Sequence, residues 1–176
     1  TSRSALLDEA QKYLSAAIKL DTLDYLSHDF YGQVLMLKRD REGALKHFKK
    51  SITHFKVLDI EAFPDFGHFK IYANIAILYM QNKEVDAAIE LLDEGKSKLK
   101  SLKSKSKLKN DLVETEFLRI YQSLVDVEMD IYLNTPNKRV AALTKFETAV
   151  KENPSDYSLR IASVSYTHLR AHETKA

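Results

Sequence analysis

Ala10, Leu14 and Ala17 recur as Ala44, Phe48 and Ser51, each 34 residues further along the chain. A period of that length, carried by small and apolar residues at helical spacing, describes helix pairs repeated in tandem. One such pair cannot bury its apolar face alone, so copies must stack on one another. Gly and Pro number only 4 and 3 in 176 residues, which favours long helices over a turn-rich β protein. There is no Cys, so disulfides and thiolate metal sites are excluded, and a reducing compartment, cytoplasmic or nuclear, is expected. No apolar run reaches the ~20 residues needed to span a bilayer. A net charge of +2 is too small to imply nucleic acid by itself.

Apolar periodicity sets out the helices. Leu6, Leu7, Ala10, Leu14, Ala17 and Ile18 form one stripe that ends at Asp21, and a second helix spans about 23–37. After the polar turn Lys38-Arg39-Asp40-Arg41, a third helix carries Ala44, Leu45, Phe48, Ile52 and Phe55. Phe63-Pro64-Asp65-Phe66-Gly67 breaks the pattern, since Pro disfavours helix at the residue before it. A fourth helix begins at Pro64 or Asp65 and carries Phe69, Tyr72, Ile75, Ala76 and Tyr79. The fifth, with Val85, Ala88, Ile89 and Leu92, runs on into the Lys/Ser segment 96–109, and the sixth spans about 112–133. Pro136 is placed to start a seventh helix, which stops at Asn153-Pro154, and an eighth is expected from Ser155 or Asp156.

This arrangement resembles the tetratricopeptide repeat, in which small residues stand where two helices cross. Gly32, Leu35, Ala44, Phe48 and Ser51 match the pattern once, and Tyr72, Ala76, Tyr79, Ala88 and Gly95 match it again. Tyr132, Ala142, Phe146, Ala149 and Pro154 match it a third time, displaced by about one residue at the turn, while Lys56 and Lys100 stand where the family often has Pro. Ala10 to Asp21 looks like the second helix of a repeat whose first helix is missing. The resemblance covers about residues 4–160, within a solenoid domain expected over 4–164. It implies an all-α fold, an α-solenoid of seven or eight antiparallel helices, within a fragment of a longer protein. Gly32 and Ala44 are expected to face each other across one crossing. The interval from Ala44 to Ala88 is 44 residues and that from Ala88 to Ala142 is 54, so longer helices or edge loops are expected after the second helix of a repeat. Residues 165–174 (Ser-Tyr-Thr-His-Leu-Arg-Ala-His-Glu-Thr) resemble a translated sequencing adaptor, which makes 165–176 a non-native tail.

In that family the first helix of each pair lines the inner groove. The matching positions are Asp29, Gln33 and Met36, then Lys70, Asn74 and Ile77, then Asp126, Asp130 and Leu133. Each trio has i, i+4, i+7 spacing and therefore shares one helix face. Three Asp against one Lys predict a basic or apolar-basic protein segment as partner. Receptors of this family for chaperone tails clamp a terminal carboxylate with Lys and Asn, and Asp29 and Gln33 stand in those places. A second resemblance is to bacterial quorum-sensing regulators, which bind a signalling peptide in such a groove and would carry a DNA-binding domain upstream of Thr1.

The segment 96–109 holds seven Lys and no acid. It reads as a solvated helix extension and is the only hint of RNA or acidic lipid, without interleaved aromatics for base stacking. Asp65-Phe66-Gly67 spells a kinase metal-binding triplet but lacks its companions. His47 and His54 share a helix face and read as flanking the core. No nucleophile elbow, Walker loop or His-Glu-x-x-His is present. No catalytic residue, cofactor or metal is implied, and the chain reads as a binding scaffold, not an enzyme.

Overall fold

The computed structural model describes residues 2–55, 65–107 and 110–152. All regular structure among them is helical: α1 (Arg3–Leu20), α2 (Tyr25–Leu37), α3 (Arg41–His54), a 3-10 turn (Phe66–Phe69), α4 (Lys70–Gln81), α5 (Val85–Lys105), α6 (Asp111–Leu133) and α7 (Pro136–Glu152). The expected all-α class is therefore observed, with seven α-helices among the described residues. The eighth helix, the stop at Asn153-Pro154 and the adaptor-like tail fall outside them. No described helix is long and apolar enough to cross a membrane. The chain divides into two compact units, Thr1–Leu58 and Asp59–Ala176.

In the first unit α2 packs on both α1 and α3. Asp24 caps α2 by accepting from the Leu26 and Ser27 amides, satisfying donors that a helix start leaves open. Lys38 reaches back to Asp8 at 2.6 Å and Gln11 donates to the Tyr31 hydroxyl at 3.1 Å, so α1 and α2 are antiparallel. Across α2 and α3, residues equidistant from the turn meet. Tyr25 and Phe55 rings lie 5.0 Å apart, and the Ser51 hydroxyl donates to the Tyr25 carbonyl. Gly32 lies against Phe48, so closely that a Cβ there would stand 2.6 Å from the ring. The side chain nearest Gly32 is thus that of Phe48, one turn beyond Ala44 on α3. Ala44 is nonetheless fully buried.

The second unit repeats the register of this hairpin. α4 packs on α5, and both pack on α6. Tyr72 meets Gly95, whose added Cβ would stand 2.6 Å from Tyr72 Cγ. Ala76, Ala88 and Leu92 are fully buried. The turns match as well. Asp40 N donates to Leu35 O and Glu84 N to Tyr79 O, both at 2.9 Å; Arg39 N donates to Met36 O and Lys83 N to Met80 O. These bonds close a Schellman motif at each helix end, and they require positive φ at Arg39 (64°) and Lys83 (65°). The turn after α6 is built otherwise. Pro136 occupies the place of Asp40 and Glu84 and has no N–H to close the motif. Thr135 N still donates to Tyr132 O, as Arg39 N and Lys83 N do to their counterparts, and α7 starts at the Pro.

The longer spacing of the last interval goes mostly into helix. α5 has 21 residues and α6 has 23, against 14 in α3 and 12 in α4. The extra turns of α6 bury Val113, Phe117, Ile120, Tyr121 and Leu124. The start of α4 is also later than the sequence suggests. Asp65 caps the 3-10 turn through the His68 amide, and regular α-helix begins only at Lys70.

Candidate functional site

α4 and α6 lie side by side and run in the same direction. Lys70, which opens α4, exerts its charge on Glu116 early in α6. Near the other end, Ile77, Met80, Val127 and Ile131 line a cleft of about 270 Å³, with Gln81, Asp130 and Asn134 at its rim. Small-molecule sites usually enclose roughly 300–1,000 Å³, so this cleft has room for one or two side chains and little more. Ile131 is buried, Ile77, Met80 and Val127 are half-buried, and the three polar rim residues are exposed.

The sequence-chosen positions on these two helices fall along this groove in part. Ile77 and Asp130 line the cleft itself. Asn74 is half-buried one turn before Ile77, and Asp126 is exposed one turn before Asp130. Asp126 accepts from the Gln122 amide at 2.6 Å. The Asp130 carboxylate makes no ion pair among the described residues, while its main-chain carbonyl accepts from the Asn134 side chain. Leu133 is half-buried, and its carbonyl accepts from Arg139. At the Lys70 end, Arg119 holds the Glu116 carboxyl below its usual range, with Lys70 acting in the same direction.

On α2 the structure places the trio differently. Asp29 is only 8% exposed and accepts from Gln33 at 2.9 Å, so it does not present a carboxylate to solvent. The matching turns align Arg39 with Lys83, hence Gln33 with Ile77 and Met36 with Met80. By that register Asn74 corresponds to Phe30, not to Gln33. The exposed stripe of α2 runs through Leu26, Phe30 and Leu37, with half-buried Gln33 between them. Of the three Asp chosen from the sequence, only Asp126 and Asp130 are exposed.

α5 runs on to Lys105 with Lys98 and Lys105 exposed, as expected of a helix extension, but Lys96 is not solvated. Lys96 is 8% exposed and pairs with Glu128 of α6, itself fully buried, and with Asp93 at 2.9 Å. Burial opposes its charge, but Glu128 and Asp93 hold the ammonium above its ordinary value. Lys98 pairs with Glu94 and Lys103 with Glu114. The aromatics missing from the segment come from α4 and α6: Lys98 lies over Tyr72, Lys100 over Tyr121 and Lys103 over Phe117, at 6.0, 5.2 and 4.2 Å. Such contacts lay the lysine stems along the hairpin.

The histidines carry a signal that spacing alone does not resolve. His28 Nε2 stands 3.1 Å from the Thr22 carbonyl, so it bears the proton there. His28 Nδ1 then accepts from His47 Nδ1 at 3.0 Å. Burial pushes His28 below its ordinary value and His47 down to about 4. His54 completes the cluster, its ring 5.6 Å from His28. Among the described residues no group of three or more His, Cys, Asp or Glu is placed to hold a metal.

No protein-family model matches this chain. The chain is similar to Protein STIP1 homolog of Dictyostelium discoideum, 23% identical over 158 residues, or 86% of this chain and 27% of that protein. It thus spans about a quarter of the length of the curated relative it matches.

Proposed function

We propose that this chain is a tetratricopeptide-like module that binds a protein segment in the groove between α4 and α6, acting as a non-enzymatic adaptor. The observation that carries this reading is the cleft itself: an apolar floor with a polar rim, set between two adjacent parallel helices and sized for side chains. The repeated register of the hairpins α2–α3 and α4–α5, with Schellman turns at the same place in each, supports the repeat assignment. The similarity to the STIP1 homolog points the same way. The test is affinity capture from cells with tagged protein. Ile77→Glu combined with Val127→Glu puts charge on the cleft floor and is expected to remove partners. Ser97→Glu with Ser101→Glu, on the exposed side of α5, is expected to retain them. Partners lost with the α5 variant and kept with the cleft variant would place binding elsewhere.

A further inference from the structure

We propose that the α4/α6 cleft selects a segment in which an apolar side chain stands next to Lys or Arg, the apolar group filling the space between Ile77, Met80 and Val127 and the cation resting on Asp130. This rests on the groove reading above and adds the chemistry of the ligand.

Three observations carry it. Asp130 is an exposed carboxylate at the rim of an apolar cleft and has no ion-pair partner among the described residues. Asp126, one turn earlier on α6, doubles the negative charge along that side. Nearby cations are engaged in part: Lys138 pairs with Asp86, Lys96 with Glu128 inside the hairpin and Arg139 bonds the Leu133 carbonyl, while Lys83, just past α4, is exposed. Lys70 lies at the opposite end of the groove, so charge runs from positive to negative along it. A bound segment is therefore oriented, its basic part toward Asp130. Because these carboxylates are solvated, each ion pair adds little. The expected preference is roughly three- to tenfold and weakens with salt.

The probe is an array of decapeptides with random flanks and a fixed central pair: Leu-Arg, Leu-Ala, Leu-Glu, Ser-Arg or Ser-Ala. Binding is expected to fall from Leu-Arg through Leu-Ala to Leu-Glu, with Ser-Arg near the Ser-Ala background. Asp130→Asn is expected to narrow the gap between Leu-Arg and Leu-Ala, and Asp130→Lys to favour Leu-Glu. Val127→Glu and Met80→Glu, each checked for native helicity, are expected to remove binding of every set. Equal binding of Leu-Glu and Leu-Arg, or a basic preference that survives Asp130→Lys, overturns this proposal; the groove reading stands if the Val127 and Met80 variants still abolish binding. Binding that persists in both of those variants, or no set above background, overturns both.

Discussion

Replacing Lys96 by Met should destabilise the second unit more than any other single lysine substitution in the chain. Lys96 Nζ sits between Glu128, which is fully buried, and Asp93, at the α5–α6 contact. Without it, the nearest donor to Glu128 is the Tyr132 hydroxyl, 3.5 Å away, too far to replace an ammonium. Breaking one side of a buried pair costs about 3–5 kcal/mol. With a slope near 2 kcal/mol per molar urea, that is a midpoint shift of about 2 M. The variant also carries a pH signature. An unpaired buried Glu128 has its folded pKa raised above its unfolded value, so its protonated form is favoured on folding. The deficit relative to wild type should be full at neutral pH and shrink as pH falls toward 4. Lys96→Met with Glu128→Leu removes both charges and should return stability to within about 1 kcal/mol of wild type, or above it. Urea denaturation by circular dichroism, with hydrogen exchange of α5 and α6 peptides to confine the reading to this unit, measures all three. A single variant within about 0.5 kcal/mol of wild type, or a double variant as unstable as the single, would refute the assignment.

Other outcomes follow from the same packing. Gly95→Val should destabilise by about 1–3 kcal/mol, because Tyr72 must move to admit a side chain; a thermal midpoint equal to wild type would show the crossing is looser than described. Arg39→Gly and Lys83→Gly should each stabilise by up to about 1 kcal/mol, since the left-handed turn position strains any residue with a Cβ; loss of stability in both would place those turns in another conformation. Burial pushes His68 down to about 4 against the pull of Asp65, so its folded pKa lies below its unfolded value. Its contribution is complete above about pH 6.5 and is lost as pH falls toward 4, amounting to about 2 kcal/mol at pH 5. Denaturation midpoints at pH 7 and pH 5 should differ accordingly, and His68→Leu should flatten the change; a His68 ring titrating near 6.5 by NMR would contradict it.

The helices were legible because each buries one stripe at a 3.6-residue period. On α6, Phe117, Ile120, Leu124 and Ile131 lie on such a stripe, and all are buried. Pro136 marked the start of α7 for the plain reason that it lacks an amide. What spacing could not give was register between helices. Gly32 was matched to Ala44 by residue type, which did not reveal that the ring of Phe48 closes on it. The α2 and α4 trios were aligned one helical turn out of register, 41 residues apart where the turns are 44 apart. The clue lay in Asp40 and Glu84, polar residues 44 apart at equivalent places after the two turns. Lys96 read as solvated because its partner is 32 residues away, yet Glu128 interrupting the Leu124–Ile131 stripe was a visible sign that a buried carboxylate needed a cation.

The central claim, that the α4/α6 groove is the binding face, is tested most directly by methyl NMR of protein labelled at Ile and Met and titrated with a captured partner. Ile77, Met80 and Ile131 should shift or broaden on addition, and the Val127→Glu variant should lose the effect. Shifts confined to other methyls, with Ile77 and Met80 unmoved at saturation, would contradict it.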